Sequence, residues 1–259
     1  MISITRQEAA LYATCGNGAC FWMNEFYLST EFAVENTKEP INQQIYRFLK
    51  KAIIECRLLP GDPLSENEVS SKFKTKISRQ PVREALIKLA ENDFVEIAPK
   101  KTTKVARISK QDIFQGADIR MALEGYAIRK LGNLINDDVI KTLEQNVQRQ
   151  CDAAERYDLH EHFRLDDEFH KTLVCTAGLD RAWRIVEGVK GSMDRVRFLS
   201  LEYALTPITV TSEAHLQILS CLKKKDLEGA HDAMYGHIRT TRDQLQKVMV
   251  KCKSEWFRD

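Results

Sequence analysis

The stretch RLLPGDPLSENEVSSKFKTKISRQPVREALIKLAENDFVEIAPKKTTKVARI, Arg57 to Ile108, decides how the rest of the chain is read. Pro60 and Gly61 form a turn dipeptide. Ser65 and Glu68 have the spacing of a capping box, in which each side chain satisfies a backbone amide left open at a helix start. After the break KTKI, Ser78 is positioned to cap a second helix. Pro81 falls in that helix's first turn, where a missing N–H costs nothing because those amides have no intrahelical acceptor. Leu86, Leu89 and Phe94 fall on the inward side, whereas Ser78, Arg79, Gln80 and Arg83 cluster at the exposed N-terminal end. Arginine pairs bidentately with guanine and glutamine with adenine, so this helix start suits a major-groove reader. A short strand pair is expected next, residues 94–98 with 104–106. Its tip directs Lys100, Lys101 and Lys104 toward phosphates, contacts that position a protein without reading sequence.

The runs PGDPLSENE and SRQPVREALIKLAENDFVEI resemble the winged helix-turn-helix of GntR-family bacterial transcription regulators, over roughly Pro40 to Ile108. Two departures stand out. Between Val69 and Ser78 the chain has two more residues than the family's usual spacing, so a longer turn and a tilted recognition helix are expected. Thr102 stands where the family's wing usually has glycine, so the hairpin tip gives up its freely left-handed residue. The first helix, from Pro40, carries Ile41, Ile45, Leu49 and Ile53 at four-residue spacing to pack beneath the motif.

Of 259 residues 43% are hydrophobic, enough for one large core or two ordinary ones. The net charge is only +2, but from Ile41 to Lys110 there are 15 Lys/Arg against 8 Asp/Glu. The positive charge is therefore concentrated where DNA contact is expected. Seven cysteines, at positions 15, 20, 56, 151, 175, 221 and 252, form no C-x-x-C pair, which argues for reduced thiols in a cytoplasmic protein. No apolar run approaches membrane-helix length, and the first 22 residues lack the charge and apolar pattern of a secretory signal. Residues 1–38 read as a poorly ordered extension, with Met23 a second candidate start and Cys15 and Cys20 too isolated to make a metal site.

Beyond Lys110 the period turns helical. Helices are expected near 110–131, 136–155, 158–176, 180–203, 209–224 and 226–252, a bundle joined by short connections. The fold class is thus mainly α: a winged helix-turn-helix over 39–108 with a small β wing, then an all-helical domain over 109–259. This second half resembles the FCD ligand-binding domain of the FadR branch of the GntR family.

Within the bundle, Phe163, Asp166, His170 and Val174 share one stripe. His215 lies with Ile218, Leu219 and Leu222, and His237 with Ala230, Met234 and Thr241. One carboxylate and three imidazoles thus point inward from three helices. Either each is a core residue satisfied by a local hydrogen bond, or one divalent metal satisfies all four. Leaving them unpaired costs about 1–3 kcal/mol each. The segments LDDEFH, SEAH and MYGHI match the FCD metal motif, so the resemblance implies Asp166, His170, His215 and His237 as ligands. Asp167 is the rival carboxylate, although its spacing to His170 departs from that motif, and His160, His162 and His231 match nothing in it and read as solvent-facing. Such a donor set suits Zn²⁺, Ni²⁺ or a similar first-row ion. Arg120, in the family's R-x-x-LE motif as RMALE, is either an effector-carboxylate partner or an ordinary pair with Glu124. Arg197 is a second effector candidate and Arg195 is read as pointing elsewhere.

These features lead to an expected homodimeric regulator that binds a double-stranded palindromic operator and answers to a small organic acid. A metal-dependent hydrolase using the Asp/His site is the alternative of another class, but no HExxH signature is present. An acyl-CoA-responsive regulator is a third, disfavoured by the complete metal motif, which such sensors lack.

Overall fold

The computed structural model describes residues 38–73, 77–98 and 102–259. The expected N-terminal extension with Cys15, Cys20 and Met23, part of the KTKI break, and Lys100 and Lys101 lie outside those residues. The chain divides into two compact units at Ile108/Ser109.

In the first unit, helix α1 (Ile41–Ile54) buries Ile45, Leu49 and Ile53 from the expected stripe, while Ile41, at the helix start, stays exposed. Helix α2 (Glu66–Ser71) and helix α3 (Arg79–Glu91) close the motif. Their Val69, Val82, Leu86 and Leu89 join Ile45, Leu49, Ile53 and Phe94 in one apolar cluster. Each such aliphatic side chain contributes about 1.5–3 kcal/mol when fully buried. The wing is a three-stranded antiparallel sheet in the order β1 (Pro63–Leu64), β3 (Thr103–Val105), β2 (Val95–Glu96). Its register sets Val95 opposite Val105 and Glu96 opposite Lys104. Alternation then turns the valines inward and leaves Glu96 and Lys104 exposed. The strand β1 was not foreseen, because two residues are too few to show a period. Gly61 has φ +90, the left-handed backbone that the turn before β1 requires.

Two expected caps are corrected. Ser65 and Ser78 occupy extended N-cap positions, yet neither side chain bonds a helix amide. In α2, Glu66 and Glu68 in the first turn answer the positive helix end instead; α3 has no acid there.

The second unit holds seven helices: α4 (Lys110–Leu131), α5 (Asp137–Glu155), α6 (Leu159–Thr176), α7 (Asp180–Val189), α8 (Gly191–Glu202), α9 (Thr209–Lys223) and α10 (Leu227–Lys251). Four starts are capped by side chains: Ser109 accepts from Asp112 N, Asn136 from Val139 N, Asp158 from Glu161 N and Asp226 from Gly229 N. The single helix expected over 180–203 is instead broken at Lys190, between α7 and α8. The break goes with an inward Lys190, whose ammonium is buried against Asp167 at 2.8 Å and Asp194 at 2.5 Å. Helix α4 packs on α10, α6 and α7, α9 packs on α10 and α5, and α5 packs on α6. The α4–α7 approach is close at Gly116, where a Cβ would come within 2.8 Å of the Val189 carbonyl oxygen. No described helix is long and apolar enough to cross a membrane.

Candidate metal centre and nucleic-acid interface

Helix α6 presents Asp166 and His170 one turn apart, α9 presents His215 and α10 presents His237. Apolar residues one turn away on the same stripes turn these faces inward. Asp166, His170 and His215 are all but inaccessible to solvent. The three Nε2 atoms form a triangle with edges of 3.2 Å (His170–His237), 3.3 Å (His170–His215) and 3.3 Å (His215–His237). Asp166 Oδ1 lies 3.8 Å from His170 Nε2 and 3.6 Å from His215 Nε2. One donor atom from each residue fits within a 4.8 Å span. Tetrahedral bonds of about 2.1 Å to nitrogen and oxygen put neighbouring donors about 3.4 Å apart, so the set has the size of a first-row coordination shell.

The hydrogen bonds behind the rings decide which nitrogen faces inward. His170 Nδ1 donates to Glu124 Oε2 at 2.5 Å, and His215 Nδ1 donates to Gln150 Oε1 at 2.8 Å. Gln150 is itself oriented, because its Nε2 donates to Asn146 Oδ1 at 2.7 Å. With its proton on Nδ1, His215 turns a bare Nε2 lone pair toward the other two rings, whose Nε2 atoms lie 3.3 Å away, where a cation would accept it. His215 also stacks on Phe169, with ring centroids 4.0 Å apart.

The charges suit the same conclusion. Burial pushes His237 down to about 3 and, with the neighbouring rings, holds His215 well below the usual imidazole range. Burial opposes ionisation of Asp166, but Arg197 and the surrounding imidazoles outweigh it and hold the carboxyl well below its usual range. Burial likewise opposes a charged Glu124, and Arg120 and His170 overcome it. A neutral His215, a neutral His237 and an ionised Asp166 are in the forms that ligate metal.

Arg120 Nε meets Glu124 Oε1 at 2.6 Å, with both side chains buried. Arg197 Nη2 meets Asp166 Oδ2 at 2.7 Å, Nη1 lies 3.4 Å from Asp194 Oδ1, and the guanidinium sits 4.8 Å above the Phe163 ring. Asp167 bonds Lys190 and stays out of the cluster. His160 is exposed, and His231 bonds Asp232 at 3.0 Å. His162 corrects the reading of it as solvent-facing. It is fully buried, because steps of four residues place it on the inward stripe of Asp166 and His170. Arg195 is buried as well. Gln150 and Asn146 were missed, although a polar residue on the buried stripe of Leu143 and Val147 was a legible signal.

In the first unit, Ser78, Arg79, Gln80 and Arg83 are exposed at the start of α3, and Lys104 is exposed on β3. Gln80 Nε2 donates to Glu84 Oε1 at 3.0 Å, and Asn42 holds the other Glu84 oxygen at 2.9 Å. The amide is thereby steered along the helix face that carries the arginines.

Residues 41–105 match the family of bacterial regulatory proteins called gntR, and residues 115–240 match the FCD domain. The chain is 39% identical over 222 residues to the HTH-type transcriptional repressor RspR of Escherichia coli K12, covering 86% of this chain and 96% of the relative. It is 31% identical over 206 residues to an HTH-type transcriptional regulator of Streptomyces ambofaciens, covering 80% and 85% of the two chains. Among solved structures, E. coli McbR/YncC shares the fold with a TM-score of 0.70 at 20% identity, covering 81% of this chain and 99% of its own. A GntR regulator from Rhodococcus sp. RHA1 does so with a TM-score of 0.67 at 18% identity, covering 80% and 97%. An exposed cationic helix start followed by an all-helical unit, together with these matches, means that the chain belongs to the GntR family of transcription regulators, with an FCD domain behind its helix-turn-helix.

Proposed function

We propose that the chain is a repressor whose hold on a palindromic operator, as a cytoplasmic homodimer, is set by a small organic acid bound beside a divalent metal. The observation that carries this reading is the buried cluster of Asp166, His170, His215 and His237, whose donor atoms lie within 4.8 Å of one another. Asp166, His170, His215 and His237 would hold Zn²⁺ or Ni²⁺, with Glu124 and Gln150 fixing two of the rings. When bound with a coordination position left open beyond these four residues, the ion would supply an electrophilic anchor for the acid's carboxylate. Arg197 and Arg120 face the same interior and balance its charge, Arg197 through Asp166 and Arg120 through Glu124.

In the front unit Arg79, Gln80 and Arg83 read bases. Ser78, Lys104 and the wing lysines Lys100 and Lys101 hold phosphates. The repressing sign follows the E. coli relative, which bears that description. Against the hydrolase alternative, the carboxylates next to the cluster are engaged, Glu124 by Arg120 and His170 and Asp167 by Lys190, so neither is free to act as general base. An interior with buried Arg120, Lys190, Asp194, Arg195 and Arg197 suits a short polar ligand and not an acyl chain.

Metal analysis of the purified protein beside His170→Ala tests the rear site: about one equivalent per chain is expected in the first and a clear loss in the second. Equal content in both would remove the site. Gel shifts of Arg79→Ala and Arg83→Ala test the front, where loss of a base contact costs about 1–3 kcal/mol of discrimination between operators.

A further inference from the structure

His162 is the histidine that the metal cluster does not use. It has no solvent exposure, and neither ring nitrogen has a hydrogen-bond partner. Buried polar groups are ordinarily paired, and an imidazole missing both partners is costly to keep. Leu159 and Phe163, next to it on α6, belong to an apolar cluster with Phe198. A purely structural residue at this position therefore has no need of nitrogen.

The position gives the nitrogens a direction. Residues 162, 166 and 170 recur every four residues on α6, so His162 lies on the stripe of the cluster, one turn before Asp166. The charged groups that act on it are Asp166 and Arg197, the pair that closes the cluster on that side. Burial keeps the ring neutral, so it offers one N–H donor and one lone pair.

We infer that His162 is a specificity residue of the sensing site, hydrogen-bonding a second oxygen function of the effector one helical turn from its metal-facing carboxylate. This rests on the reading of the rear unit as a carboxylate sensor. One turn of four residues rises about 6 Å, roughly the reach of a four- to six-carbon chain. The class of effector is accordingly a short hydroxy- or dicarboxylic acid, with a simple monocarboxylate making only the first contact.

The test uses the full-length, Zn²⁺-loaded protein, with acetate and butyrate against succinate, malate, citrate and gluconate, read by calorimetry and thermal shift. In the wild type at least one polyfunctional acid is expected to bind more tightly than either monocarboxylate. His162→Leu is expected to weaken that acid by about tenfold, the scale of one neutral hydrogen bond. It should leave monocarboxylate binding and zinc content unchanged, and the ligand-free variant should melt no lower than the wild type. His162→Gln, which keeps a donor and an acceptor, should recover part of the loss. Unchanged affinity for every acid in His162→Leu would overturn the assignment and leave the sensor reading standing. A ligand-free His162→Leu that melts well below the wild type, with His162→Gln no better at binding, would make His162 a packing residue and overturn it too. No acid binding to the wild type would instead remove the carboxylate sensor and this inference with it.

Discussion

Glu124 shows how much one side chain settles. It accepts from the Arg120 guanidinium on one oxygen and from the His170 ring on the other, and so determines which nitrogen of His170 faces the cluster. A carboxylate behind a metal-facing histidine fixes the ring's tautomer and raises its basicity. Glu124→Gln keeps the shape but loses the charge and strands Arg120. Zinc affinity is expected to fall about 10- to 100-fold, as for other partners behind ligating histidines, while the helical content by circular dichroism is retained. Unaltered affinity in competition titrations with a chromogenic chelator would mean that the carboxylate does not orient the ring.

Among the elements, α4 and α6 carry the clearest expectations. Gly116 on α4 admits the end of α7, since a Cβ there would meet the Val189 carbonyl oxygen at 2.8 Å. Gly116→Val should cost about 1–3 kcal/mol in urea denaturation, the range of overpacked sites. Gly188 on α7 is the contrast: nothing lies within 4 Å of its Cβ position, so Gly188→Ala should be neutral or stabilise by up to about 1 kcal/mol. On α6, Glu161 is held by the Arg164 hydrogen bond first, then by Arg149, and its carboxyl sits at about 2 against an ordinary 4.5. Because the folded value is the lower one, this group's contribution is full above the unfolded value. It disappears as pH falls from about 4.5 to about 2. As a solvent-screened surface network it is worth less than about 1 kcal/mol. Glu161→Gln should therefore lower stability slightly at pH 7, and the two proteins should converge near pH 2; a difference that persists there in denaturation curves would assign the effect to something other than ionisation.

For the whole molecule the charge distribution sets the terms. A chain with a net charge of only +2 carries 15 basic against 8 acidic residues between Ile41 and Lys110, a local positive surplus that favours approach of duplex DNA to the first unit. Each phosphate contact steepens the dependence of log affinity on log salt by about 0.9. Lys104→Ala should reduce that slope by about this amount and leave the ranking of operator variants unchanged, as measured by fluorescence anisotropy across a salt series. An altered ranking would place Lys104 among the base readers. An effector can alter operator occupancy only by as much as it prefers one conformation, and a tenfold change needs about 1.4 kcal/mol of such preference.

Helical period, the change of texture near Lys110, the cationic start of α3 and the four inward polar residues of the bundle were all legible in the sequence, because each is carried by residues a few positions apart. The third wing strand, the break at Lys190, the burial of His162 and the pairing of Arg120 with Glu124 were decided only by tertiary structure. So was the orientation of the rings: Glu124 and His170 are separated by 46 positions, and Gln150 and His215 by 65. Local spacing determines which side of a helix a residue occupies. The angle and depth at which separate helices pack determine what it meets there, and that depends on volumes summed over the whole core.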